Sequence, residues 1–270
     1  MYPHTAMTIR IFSSLSILIY AQSAQASEPT ETHDESLVTD RPDVAESSTT
    51  VGSMRVQIET GLAVGQLEQA SAKTLSTPTK VRIGLSESTE LHLEGELFNF
   101  NRSSTGSDKI GVGNINIGGK AHFVEGDGLI PSIGLLLSFT LPLAAEPAFG
   151  DDLFSAHPIF ALDWDMPYGL SLGLNIGLFV PLDDFSKHPL SVDYALALGY
   201  SIDMVVEDLG VFAECFGDTT LDEAASTLHF DAGFTYLLSA QMQIDVSLRS
   251  SVLHGEDDKL GLGLGFAFRI

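Results

Sequence analysis

Apolar and polar residues alternate along most of this chain, and the alternation is cleanest at its end. Leu260, Leu262, Leu264, Phe266, Phe268 and Ile270 fall on one face of 260–270, and Gly261, Gly263, Gly265, Ala267 and Arg269 on the other. Successive side chains of a strand point to opposite faces. One face here is therefore wholly apolar and the other small or charged. About ten residues is what a tilted strand needs to cross a bilayer, so 260–270 reads as the lipid-facing strand that closes a barrel.

The same period of two recurs from Met54 onward and predicts about twelve strands. They fall at 53–64, 78–86, 89–100, 111–125, 130–141, 157–167, 169–181, 190–202, 208–217, 226–238, 240–250 and 260–270. The connections alternate in this reading. Short ones fall at 86–90, 125–129, 166–169, 203–208 and 238–241, and long ones at 65–77, 101–110, 142–156, 182–189, 218–225 and 251–259. The predicted fold class is all-β: a transmembrane antiparallel up-and-down β-barrel with both termini periplasmic. On the seventh strand Leu170, Leu172, Leu174, Ile176, Leu178 and Val180 point out, and Ser171, Gly173, Asn175, Gly177 and Phe179 point in. Trp164, Tyr168, Tyr194, Tyr200 and Tyr236 lie near strand ends, where amphipathic rings suit the headgroup level.

The N-terminus breaks the pattern. Residues 9–20 place a short apolar core after a basic residue, Arg10, and Ala24-Gln25-Ala26 supplies small residues at a cleavage position, so 1–26 reads as a signal peptide. Met7 is an alternative start. Residues 27–52 are acidic, rich in Ser and Thr, and too polar to build a core. Within them Asp40, Arg41, Pro42 and Asp43 form a stiff stretch, because proline fixes its own φ and restricts the residue before it. This segment is a candidate plug for the barrel of 53–270.

Charge then shapes the inside. Arg55, Lys80, Arg82, Arg249 and Arg269 face inward on strands that become neighbours when the barrel closes, and form a basic arc interrupted by Glu59 and Asp245. Glu90, Glu94, Glu96, Asp163, Asp165, Asp193, Glu214 and Asp231 form an acidic wall with Lys120 among them. Two readings follow. In one the lumen is polarised and orients a charged or dipolar solute; in the other the ion pairs merely satisfy one another inside a filled barrel.

Composition narrows the chemistry. The chain has 36 acidic and 13 basic residues and a net charge of −23, which opposes nucleic-acid binding. A lone cysteine, Cys215, excludes an internal disulfide. His92 between Glu90 and Glu94, with His122 and Asp163, has only the spacing of a strand, as do His229 and Asp231, and neither is assigned a metal. No serine sits in a nucleophile motif, and the glycines of 261–265 have no helix after them to cradle a phosphate. No catalytic residue, cofactor or metal is therefore expected.

Thr39-Asp40-Arg41-Pro42-Asp43 with Glu46-Ser47, Gly52 and Gln57-Ile58-Glu59-Thr60-Gly61 resembles the start of the family named for the MetA pathway of phenol degradation. Val211–Gly217, Asp231–Leu238, Gln243–Ser247 and Gly263–Arg269 resemble it too, so that the likeness spans about residues 38–270. Val44-Ala45 departs from the family's usual aromatic-Thr pair, and Ile270 from the usual terminal Phe. The resemblance implies a bacterial outer-membrane barrel with a part in the passage of aromatic or other small hydrophobic compounds. The expected function is thus a passive channel for small molecules, with a non-conducting structural or binding barrel as the alternative. Expected partners are outer-membrane lipid and lipopolysaccharide, the barrel-assembly machinery and an unassigned small-molecule solute. A monomer is expected, since no strand carries a polar contact stripe.

Overall fold

The period-two segments become one antiparallel sheet. In this computed structural model the residues described are 36–42, 44–67, 73–102, 107–183, 189–202, 206–221, 226–253 and 258–270. Residues 1–26, the expected signal peptide, with residues 27–35 and Asp43, lie outside them. The strands are β1 (Val56–Leu67), β2 (Lys73–Ser86), β3 (Thr89–Arg102), β4 (Lys109–Gly111), β5 (Ile115–Val124), β6 (Ser132–Leu141) and β7 (Ser155–Met166). They continue as β8 (Leu170–Pro181), β9 (Ser191–Ser201), β10 (Leu209–Thr220), β11 (Leu228–Ser239), β12 (Met242–Leu253) and β13 (Asp258–Arg269).

Each strand pairs with its sequence neighbours, and β1 pairs with both β2 and β13, which shuts the barrel. Reciprocal bonds of 2.9 Å between Val56 and Ile270 finish that seam. β4 and β5 are two halves of one barrel strand. Both pair with β3 in unbroken register, Asn99 opposite Gly111 and Gly95 opposite Ile115, so the wall has twelve strands.

The wall is inverted relative to a water-soluble protein. Leu62, Val64, Leu196, Leu198, Phe230, Phe234, Leu260, Leu262 and Leu264 are exposed on the outside, while Gln57, Glu59, Arg82, Glu90 and Glu214 are among the most deeply buried residues. An apolar outer belt and a polar interior are what a lipid-facing barrel requires. Trp164, Tyr168, Tyr200 and Tyr236 sit at the ends of β7, β9 and β11 or in the turn beside them, as a girdle on the short-turn rim.

Two expectations change. The alternation fails within β3. The register steps from Pro78 opposite Glu96 to Ser76 opposite Asn99, a bulge that leaves Leu97 and Phe98 both facing outward. Loop lengths are also less segregated than the pattern implied. β1 and β2 stay paired as far as Gln66 and Lys73, and β12 runs to Leu253, because backbone groups keep pairing beyond the apolar belt whatever their side chains. The stretch 142–154 remains long and folds back onto the strand break. There Ala145 N–H donates to the Val112 carbonyl at 3.2 Å and Ala144 N–H to Asn114 Oδ1 at 3.0 Å.

Candidate functional site

The inward faces converge on the N-terminal segment, which lies in the lumen. It enters at the short-turn rim, where Leu37 N–H donates to the Ala240 carbonyl at 2.8 Å, and returns to that rim, where Met54 N–H meets the Gly84 carbonyl at 3.1 Å. Between these points it touches almost every wall. Its backbone donors are taken up by wall side chains: Asp40 N–H by Glu59 at 3.1 Å, Val44 and Ala45 N–H by Glu214 at 2.8 and 2.6 Å. Glu46 N–H goes to Asn175 Oδ1 at 2.6 Å, Ser48 N–H to Asp163 at 2.6 Å and Val51 N–H to Glu90 at 2.8 Å. Buried carboxylates that accept N–H bonds form strong, charge-assisted contacts.

Asp40 is the ionic centre. Lys80, Lys120 and Arg82 approach its carboxylate at 2.9, 3.1 and 3.3 Å. Burial alone would raise this carboxyl, but the Arg82, Lys120 and Lys80 charges outweigh burial and hold it well below the ordinary carboxylate range. Lys80 also meets Glu46 at 2.5 Å, and Arg82 meets Glu90 at 2.8 Å and Glu59 at 3.3 Å. Arg41, whose bond to Pro42 is cis, reaches Asp245 at 3.4 Å.

Wall glycines make the room. Gly61 and Gly265 are cross-strand partners at the seam. A Cβ at Gly61 would lie 2.6 Å from Arg41 Nη2, and one at Gly265 2.5 Å from Arg41 Nε. At Gly134 it would lie 2.7 Å from the Ser48 carbonyl oxygen, and at Gly84 it would run into that of Gly52.

The predicted arc and wall are therefore regrouped. Lys80 and Arg82 are buried against the segment. Arg269 donates to Gln241 at the short-turn rim at 2.8 Å. Arg55 precedes β1 and lies beside Gly52 at that rim instead of on the lumen wall. Asp165 is exposed near the end of β7, outside the wall cluster, because the strand ends one residue later. Glu90, Asp163 and Glu214 hold the segment; Asp193 bonds His157 at 2.8 Å and Glu94 bonds Asn116 at 2.9 Å. His92 bonds Ser138 at 2.8 Å and His122 the Ser48 carbonyl at 3.1 Å. Among the described residues no three His, Cys, Asp or Glu side chains are grouped to hold a metal. Sequence reasoning did not find the docking roles of Glu59, Asn175 and Asp245 or the glycine sockets. The one signal for the sockets was the run of inward glycines, among them Gly61 and Gly265.

Beyond the segment, toward the long connections, the lumen widens into cavities of about 470 and 410 Å³ that share Phe216 and His229. Glu96, Asn99 and Arg249 border the first, and Glu94 and Asp193 the second.

The sequence model of the family described as "Putative MetA-pathway of phenol degradation" matches residues 39–270. The fold is similar to that of the outer membrane channel from Pseudomonas putida F1, with a TM-score of 0.65 and 14% identity over 83% of this chain and 98% of that one. It is also similar to the NanC porin, with a TM-score of 0.54 and 12% identity over 79% of this chain and 98% of that one. No curated protein matches the sequence.

Proposed function

Because this chain belongs to the phenol-degradation MetA-pathway family, we propose that it is an outer-membrane channel for passive passage of small molecules, narrowed by its own N-terminal segment. The observation that carries this reading is the division of the lumen. A charge-lined cavity lies on the long-connection side, and on the other a segment is held mainly by hydrogen bonds and ion pairs, with Ala45 packed against Ala195 and Ala197. Such a segment can leave without breaking the wall. Similarity in fold to an outer membrane channel and to a porin supports the reading. Leu37, near the start of the described residues, and Ile270 share one rim, which this reading places in the periplasm. Outer-membrane lipid and lipopolysaccharide then surround the apolar belt, and the barrel-assembly machinery inserts it. Small aromatic or hydrophobic compounds are the proposed solutes.

A non-conducting barrel is the second reading, and the reach of the segment across the lumen favours it. Conductance in planar bilayers separates the two. The mature protein is expected to give small steps, and removal of residues 27–50 is expected to enlarge them several-fold. Silence from both forms, with the folded barrel confirmed by its heat-modifiable mobility on a gel, overturns the channel reading.

A further inference from the structure

The 470 Å³ cavity carries two unlike walls. On one, Phe216 stacks on His229 with centroids 5.1 Å apart, and the Arg249 guanidinium carbon lies 4.8 Å from the Phe216 centroid. Arg249 Nε and Nη2 both donate to one oxygen, Asp231 Oδ2, at 3.3 and 3.2 Å. Ring and carboxylate thus fix the guanidinium plane, and Nη1 is left without a partner among the described residues. The Arg249 side chain is 41% exposed. The facing wall holds Glu96, which has no ion-pair partner among the described residues, and Asn99, which is buried with its amide nitrogen unpartnered.

From this pairing we infer that the cavity binds a small zwitterion, a solute with a carboxylate for Arg249 and an ammonium for Glu96. The inference rests on the channel reading for its purpose but not for its chemistry. A fixed guanidinium edge is preorganised for a carboxylate. Asp231 already offsets much of the Arg249 charge, and Glu94, Glu96 and Asp193 border the same widened lumen, so a bare anion is opposed by the surrounding field. A bare cation meets Arg249. A molecule with both charges satisfies each wall, and Phe100 and Phe149 on the same cavity offer apolar surface to its side chain.

The test is calorimetric titration of the full-length mature protein in detergent with phenylalanine, 3-phenylpropionate and phenethylamine, which share a skeleton and differ in charge. Phenylalanine is expected to bind about tenfold more tightly than either of the others, the gain of one charge-assisted hydrogen bond. Glu96→Gln is expected to weaken phenylalanine about tenfold and leave phenylpropionate unchanged; Arg249→Gln is expected to weaken phenylalanine and spare phenethylamine. Equal binding of all three by the unaltered protein, or tightest binding of phenylpropionate, overturns the zwitterion site without recourse to any variant. A barrel that conducts but binds none of the three overturns the site and leaves the channel reading standing. One that binds phenylalanine but never conducts overturns the channel reading and leaves the site.

Discussion

Asp40 meets three buried cations, which also have Glu46, Glu59, Glu90 and Glu94 at 2.5 to 3.8 Å. Removing one partner from a buried ion-pair network is destabilising, and Lys120 would keep, among the described residues, only Glu46 and Glu90 at 3.8 Å, so Asp40→Asn is expected to loosen the segment while the barrel stays folded. Proteinase K should then cut within residues 36–52 of the variant, with the unaltered protein resistant. Gly84→Ala tests the same docking by shape, since its Cβ would run into the Gly52 carbonyl oxygen. The expected result is greater proteolysis of the segment and larger conductance steps. The stiffness of Asp40-Arg41-Pro42 was legible in the sequence, because proline constrains its neighbours locally. The task of Glu90, Asp163 and Glu214 was not. Alternation tells which way a carboxylate points, but here the partner is a backbone N–H, which almost every residue carries.

The strands were the most legible elements, since one face of each meets lipid and the other a polar lumen. β13 shows it best, with Leu260, Leu262 and Leu264 exposed on the outside and Ala267 and Arg269 buried within. Leu262→Arg near the middle of that strand is expected to cost about 2–4 kcal/mol, read as a lower urea midpoint in lipid vesicles. What alternation hides is any departure from a period of two. At the β3 bulge Leu97 and Phe98 both face out, and the inward position after Glu96 falls on Asn99, one residue later than the alternation would place it. Pairing beyond the apolar belt was hidden as well. Strands there are held by backbone bonds between Thr, Ser, Lys and Gln residues such as Gln66 and Lys73, which look like loop residues on the sequence alone.

At the scale of the whole molecule, the segment narrows the lumen on one side, and the lumen is hollow on the other. A peptide of residues 36–52 should therefore block a barrel lacking its own segment only when added at the short-turn side, and the asymmetry of block across a planar bilayer checks this. The seat of Arg41 adds a condition on assembly. It is built from Gly61 on β1, Gly265 on β13 and Asp245 on β12, and Arg41 lies 204 residues along the chain from that aspartate. No unfinished wall offers that seat, so Arg41 cannot dock before Asp245 and Gly265 are in place. Arg41 in its seat is therefore the mark of a closed seam. A barrel stalled before its final strands leaves its leading segment exposed to proteases, and only a closed one takes that segment out of their reach.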